Sequence, residues 1–172
     1  MAGIFAFKCA CCGEVHEGSP SFSYLMPAYV AQLPESEKEN IIEAGTDLCK
    51  VKYEEGVHYF IRVCLEIPIH GHEEPFLWGV WVSLSERSFK RYVETYDDVD
   101  ETDSYFGWFC NALPYYENTL SLKTQVRPRT GGMRPYLELE RDGHELAEDL
   151  YHGITVEKAQ KIAELCMHQG SG

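Results

Sequence analysis

The chain has 172 residues, 44% of them hydrophobic, and a formal charge of −13 from 28 acidic against 15 basic side chains. That composition argues against disorder and supplies a sizeable core, while the negative charge disfavours phosphate backbones and anionic membranes and favours a basic protein partner. The apolar runs fall far short of the roughly 20 residues that a bilayer-spanning helix needs, so we expect no nucleic-acid and no membrane role. With no linker-like stretch to divide it, the chain reads as one domain over residues 1–172. Within it we separate a cysteine knuckle at 1–20, a body at 21–168 and a tail at 169–172.

The first residues, Met1 to Lys8, have neither a basic start nor an extended apolar segment, and do not read as a signal peptide. The chain has seven cysteines, an odd number, and Cys9, Cys11 and Cys12 crowd together. That usage suits reduced thiols or a metal better than a disulfide framework, and the cytosol (a cytoplasmic location) is the matching compartment. A strand feeding Cys9-x-x-Cys12-Gly13 has the form of a zinc knuckle. Two thiolates at that spacing can reach one tetrahedral ion, and the glycine lets the backbone turn behind them. The other ligands must come singly, with His16 and Cys49 the leading candidates and His70, Cys64 and Cys110 behind them. Two other readings stand beside zinc. The thiols could be inert and buried. They could also be redox-active, although the turn-like, acidic stretch that follows lacks the helix N-terminus such chemistry uses.

Further along, Ser36 with Glu39 forms a capping-box pattern, which predicts a short helix through Ile41 and Ile42. From Val57 to Ile69 apolar side chains alternate, with Arg62, Cys64 and Glu66 on the opposite face, so this segment is a strand. We expect Arg62 and Glu66 to pair with neighbours across the sheet; the functional version is a polar cleft. The run Phe76 to Ser83 is apolar on both faces and reads as a central covered strand. Ser85 can cap a helix whose Phe89, Tyr92, Val93 and Tyr96 form one apolar stripe. Then comes an acidic tract, including Asp97, Asp98, Asp100, Glu101 and Asp103. It is either a solvated helix end or a landing site for a basic surface. It has no glycine where a calcium-binding loop would need one.

Strands are expected at Tyr105–Ala112, Thr119–Val126 and Pro135–Arg141, with a turn at Gly131-Gly132. Tyr115 and Tyr116 are expected at the surface as possible binding anchors. Arg127, Arg129 and Arg134 are the basic cluster, which we expect to neutralise nearby acids. Thr155 caps a last helix with Ala159, Ile162, Ala163 and Cys166 on one face. The fold class is therefore α+β: a largely antiparallel sheet packed by a few helices, with an N-terminal zinc-knuckle-like turn.

These segments together resemble the bacterial domain-of-unknown-function family 2199. The resemblance rests on Cys9-x-x-Cys12-Gly13-x-x-His16-x-Gly18, Asp47-Leu48-Cys49 and Phe60-Ile61-Arg62-x-Cys64-Leu65-Glu66-Ile67-Pro68. It extends through Trp78-Gly79-Val80-Trp81-Val82-Ser83-Leu84-Ser85, Tyr105-Phe106-Gly107-Trp108, Gly132-x-Arg134-Pro135 and Gly153-Ile154-Thr155. It implies that Cys49 belongs with the knuckle, and it brings no established activity. Cys11 and the acidic tract at 97–103 depart from its pattern.

No nucleophile elbow, phosphate-binding glycine loop or paired-carboxylate motif is present. The expected function is a non-catalytic, acidic, zinc-stabilised protein-binding domain, in one form an immunity protein or antitoxin that neutralises a toxin. The alternatives are a zinc-dependent enzyme with a polar cleft around Arg62, Glu66 and His70, and a purely structural protein.

Overall fold

The structure is a computed structural model that describes residues 6–8 and 13–168. Cys9, Cys11 and Cys12 lie outside the described residues. The chain runs β1 (Ala6–Lys8), β2 (Val15–Glu17), β3 (Ser21–Ser23), α1 (Ala28–Ala31), a 3-10 helix (Glu35–Asn40), β4 (Ile41–Ala44), β5 (Leu48–Tyr53), β6 (Gly56–Ile67) and β7 (Phe76–Leu84). It continues through α2 (Glu86–Glu94), β8 (Tyr105–Phe109), β9 (Lys123–Arg127), β10 (Tyr136–Leu139), α3 (Glu145–His152) and α4 (Val156–His168).

β1 and β2 form a separate antiparallel hairpin. In the main sheet β7, β8, β9, β10 and β6 follow in hydrogen-bonded order, and β6 pairs back to β7, which closes a barrel. β5 and β4 extend from β6, and β3 lies parallel to one end of β7. Apart from β3–β7 and the short β10–β6 contact, the pairings are antiparallel. The α+β class therefore holds.

The period-two alternation of β6 does what such a pattern dictates. Ile61, Val63, Leu65 and Ile67 are fully buried against Trp78, Val80, Val82, Phe109 and Leu137, together with Phe89, Leu146 and Ile162 from the helices. The opposite face makes a second cluster, in which Cys49, Val51, Phe60 and Trp81 are covered by Val30 and Cys110. β7 is thus buried on both sides, as its continuous apolar run predicts.

Some elements differ from expectation. Glu35–Asn40 is a 3-10 helix without a side-chain cap, and Ile41 and Ile42 belong to β4. The six residues ESEKEN bury nothing, so no apolar stripe holds an α-helix there, and β-branched Ile41 pairs with Val51 instead. Ser85 does cap α2, its Oγ accepting from Ser88 N–H at 3.1 Å. Only Phe89 and Tyr92 of the stripe are buried, however; Val93 and Tyr96 reach the surface.

The strand expected from Thr119 begins at Lys123. Before it the backbone takes positive φ at Tyr115, Asn118 and Ser121. Buried Thr119 pins this segment, donating to Asn111 O at 2.7 Å and accepting from Leu113 N–H at 3.0 Å. α3 follows His144. The His144 ring caps it, Nδ1 accepting from Leu146 N–H at 3.0 Å while Nε2 donates to Glu117 O at 2.6 Å. α4 begins as expected, with Thr155 Oγ1 accepting from Lys158 N–H at 3.1 Å. Among the described residues no helix is long and apolar enough to cross a membrane.

The two central tryptophans differ in one respect. Trp81 Nε1 donates to Tyr24 O at 2.9 Å, whereas buried Trp78 Nε1 has no partner among the described residues. Truncation of either to Ala should cost about 3–5 kcal/mol in urea unfolding, because each is buried to 1% exposure. Trp81→Phe should cost about 1 kcal/mol more than Trp78→Phe, since only the former strands a carbonyl. Equal losses for the two Phe variants would contradict this assignment.

Candidate functional site

The titratable side chains of the outer barrel face gather around Cys64 and Glu66. Register places Cys64 opposite Gly79 on β7 and beside Tyr136 on β10. The turn between β9 and β10 folds over them because Gly131 and Gly132 both take positive φ. Pro135 O then accepts from Cys64 N–H at 2.9 Å. This turn delivers the arginines. Arg129 Nη1 donates to Glu66 Oε1 at 2.9 Å, and its Nε donates to Arg134 O at 2.8 Å. Arg134 Nε donates to Asp47 Oδ1 at 2.6 Å, and Arg127 Nε to Glu138 Oε1 at 3.1 Å. The basic cluster therefore neutralises neighbouring carboxylates, as expected, and Glu66 pairs through it. Among the described residues Arg62 has no such partner.

Asp47, Cys64, Glu66, Arg129 and Arg134 line an open concavity of about 460 Å³ with Leu77, Tyr96, Gly132 and Met133. Burial pushes the Cys64 thiol above its ordinary range; Arg129, Arg134 and Arg62 pull against that shift and Glu66 adds to it. The thiol thus stays protonated at neutral pH and is no ready nucleophile. His70 lies past the end of β6, its Nε2 2.8 Å from His152 O. The concavity is lined by Glu66 but by neither Arg62 nor His70.

The acidic tract borders this concavity, because Tyr96 stands at the end of α2 and the tract follows directly. Asp97, Asp98, Asp100 and Glu101 are exposed. Asp103 is partly covered and pairs with Arg91 at 3.3 Å, Asp100 accepts from Thr102, and Glu101 accepts from Thr130 Oγ1 at 3.1 Å. Sequence reasoning missed two exposed side chains in this region, Tyr96 (51%) and Met133 (57%). Tyr96 was assigned to a core stripe, and nothing in a stripe marks where a helix passes the edge of its sheet. Met133 carries no periodic signal, and only the positive-φ turn exposes it.

Tyr116 must be corrected. It is buried, its hydroxyl donates to Asp149 Oδ2 at 2.7 Å, and Asp149 also takes Lys158 Nζ at 2.7 Å. Tyr116 is a core residue that fastens the strained 113–121 segment to α3, so it is no surface anchor; Tyr115 beside it is partly exposed.

Of the proposed metal ligands, His16 sits on β2 directly opposite Phe7 of β1. Gly13 takes φ +75°, the turn geometry anticipated for it. Cys49 lies in the apolar cluster on β5, where burial, with Glu43 adding, pushes its thiol up to about 11. Among the described residues no group of three or more His, Cys, Asp or Glu is arranged to hold a metal.

Residues 8–154 match the model of a family described as uncharacterized protein conserved in bacteria (DUF2199). The chain belongs to this family. No curated protein and no solved structure matches it. Three segments that carry the resemblance to DUF2199 meet at the concavity: Asp47 from one, Cys64 and Glu66 from the second, and Gly132 and Arg134 from the third.

The raised thiols make stability pH-dependent. Cys166 in the folded state lies at about 11 and buried Cys110 at about 12, against an ordinary thiol value of 9.0. A pKa raised by folding gives stability that is complete below the unfolded value and is lost as pH rises through the folded one. Urea midpoints should therefore be flat up to pH 9 and fall steadily between pH 9 and about 12. The Cys166→Ala variant should show a shallower fall. An unchanged slope in that variant would show that Cys166 is not a titrating group.

Proposed function

We propose that this chain is a non-catalytic binding protein that engages a basic protein partner through the acidic rim at 97–103 and the concavity beside it. The observation that carries this is the juxtaposition of exposed Tyr96 and Met133 with exposed Asp97, Asp98, Asp100 and Glu101. Interfaces draw most of their affinity from a few aromatic or flexible apolar anchors and draw speed and selectivity from a charged rim. The arginines around the concavity do not oppose a basic partner, because their charge is taken up by Glu66, Asp47 and Glu138. Tyr96 and Met133 replace Tyr116 as anchors. A small acidic protein of this kind suits the role of an immunity protein or antitoxin that caps a basic toxin. Free thiols at Cys64, Cys110 and Cys166 suit the reducing cytoplasm.

The proposal includes a zinc ion as a staple of the N-terminal hairpin, with Cys9, Cys12, His16 and Cys49 as its ligands. Support comes from the β1–β2 pairing, which brackets the knuckle, and from the left-handed turn at Gly13. Four protein ligands would close the site and make it structural.

Two measurements test these claims. For Asp97→Asn, Asp98→Asn, Asp100→Asn and Glu101→Gln combined, with Asp103 kept because it holds Arg91, the association rate with the captured partner should fall at least tenfold at low salt. The dissociation rate should change little. An unchanged association rate would assign the tract to solubility. Elemental analysis should find about one zinc per chain in wild-type protein and none after Cys12→Ser. Zinc retained in Cys49→Ser would remove Cys49 from the ligand set.

A further inference from the structure

Arg62 sits in the middle of the central ladder, opposite Trp81, with its side chain on the outer barrel face beside Cys64. A Cβ built on Gly79 would lie 3.3 Å from Arg62 Nη2 and 2.8 Å from Ser23 Cβ. The guanidinium therefore lies over the β7 backbone at the one position where the absence of a side chain leaves room. Its buried Nε has no acceptor among the described residues. Among the described residues no carboxylate lies within ion-pair distance of it, while Arg127, Arg129 and Arg134 each have one. A buried Nε–H with no acceptor costs stability, and together with the adjacent Nη–H it matches the two oxygens of a carboxylate.

We propose that Arg62 is an anion receptor, and that its ligand is a small molecule bearing a single carboxylate bound beside Cys64 on the outer barrel face. The charges around it select that class. The neighbouring Glu66–Arg129 and Asp47–Arg134 pairs are each neutral. Arg62 therefore brings a single uncompensated positive charge to this place, which a monoanion balances and a dianion such as phosphate would exceed. Cys64 remains a neutral thiol beside it, because burial holds its proton on. It can therefore donate a weak hydrogen bond and does not compete as an anion.

The test uses acetate as the probe, in protein with ¹⁵N-labelled arginine, following the Nε–H signals at constant ionic strength set with chloride. The Arg62 signal should move saturably with acetate while those of Arg127, Arg129 and Arg134 stay in place. Arg62→Lys keeps the charge but loses the planar fork, and should weaken acetate binding about tenfold. Arg62→Met should abolish binding and raise the urea midpoint, since it removes a buried donor that lacks an acceptor. The wild-type titration decides the matter even if Arg62→Met does not fold. Non-saturating shifts shared by all the arginines, or a folded Arg62→Met with a lowered midpoint, would overturn the proposal. Tighter saturation by inorganic phosphate than by acetate would overturn the monocarboxylate assignment.

Discussion

The antiparallel ladder between β6 and β7, running from Tyr59↔Leu84 to Ile67↔Phe76, is the constraint on which the other elements depend. One of its faces fills the barrel and receives α2, α3 and α4; the other carries Phe60, the Arg62↔Trp81 pair, Cys64 and Glu66 in succession. A slip of one residue would exchange these faces and put Arg62 and Glu66 into the apolar interior. The barrel closes only because β10 returns to β6 at Cys64. The same register thus sets the fold and the position of the concavity.

Charge is distributed in a way that a net value conceals. The arginines of the β9–β10 turn face inward along the sheet and meet Glu66, Asp47 and Glu138, while the tract after α2 presents most of its carboxylates to solvent. The arginines of this region are thus taken up in pairs along the sheet, while most carboxylates of the tract stay outside. Surface pairs of this kind contribute about 0–1 kcal/mol each, so they define a shape more than they hold the fold. A basic partner would meet uncompensated acid at the rim and apolar side chains at the centre.

The core was legible from the sequence because it depends on periodicity. The alternation of β6, the continuous apolar run of β7 and the caps at Ser85 and Thr155 each follow from local rules, and each appears where those rules place it. The failures lie where tertiary partners decide. Ile41 and Ile42 look like the end of a capped helix until β5 offers them a ladder. Tyr116 looks like a loop tyrosine until Asp149 and Lys158 bury it. The concavity could be only half read. Glu66 and the basic cluster are legible as its polar lining, but Tyr96 and Met133 are exposed by the edge of a sheet and a pair of glycines, which leave no pattern in the residues themselves.

The central claim, that the partner docks on the concavity and its acidic rim, is tested most directly by hydrogen exchange of the complex against the free chain. The account predicts new protection at residues 92–103 and 128–135, with the exposed aromatic pair Phe106 and Trp108 on β8 unchanged. Protection confined to β8 or to the β4 edge, with 92–103 exchanging as in the free chain, would contradict it.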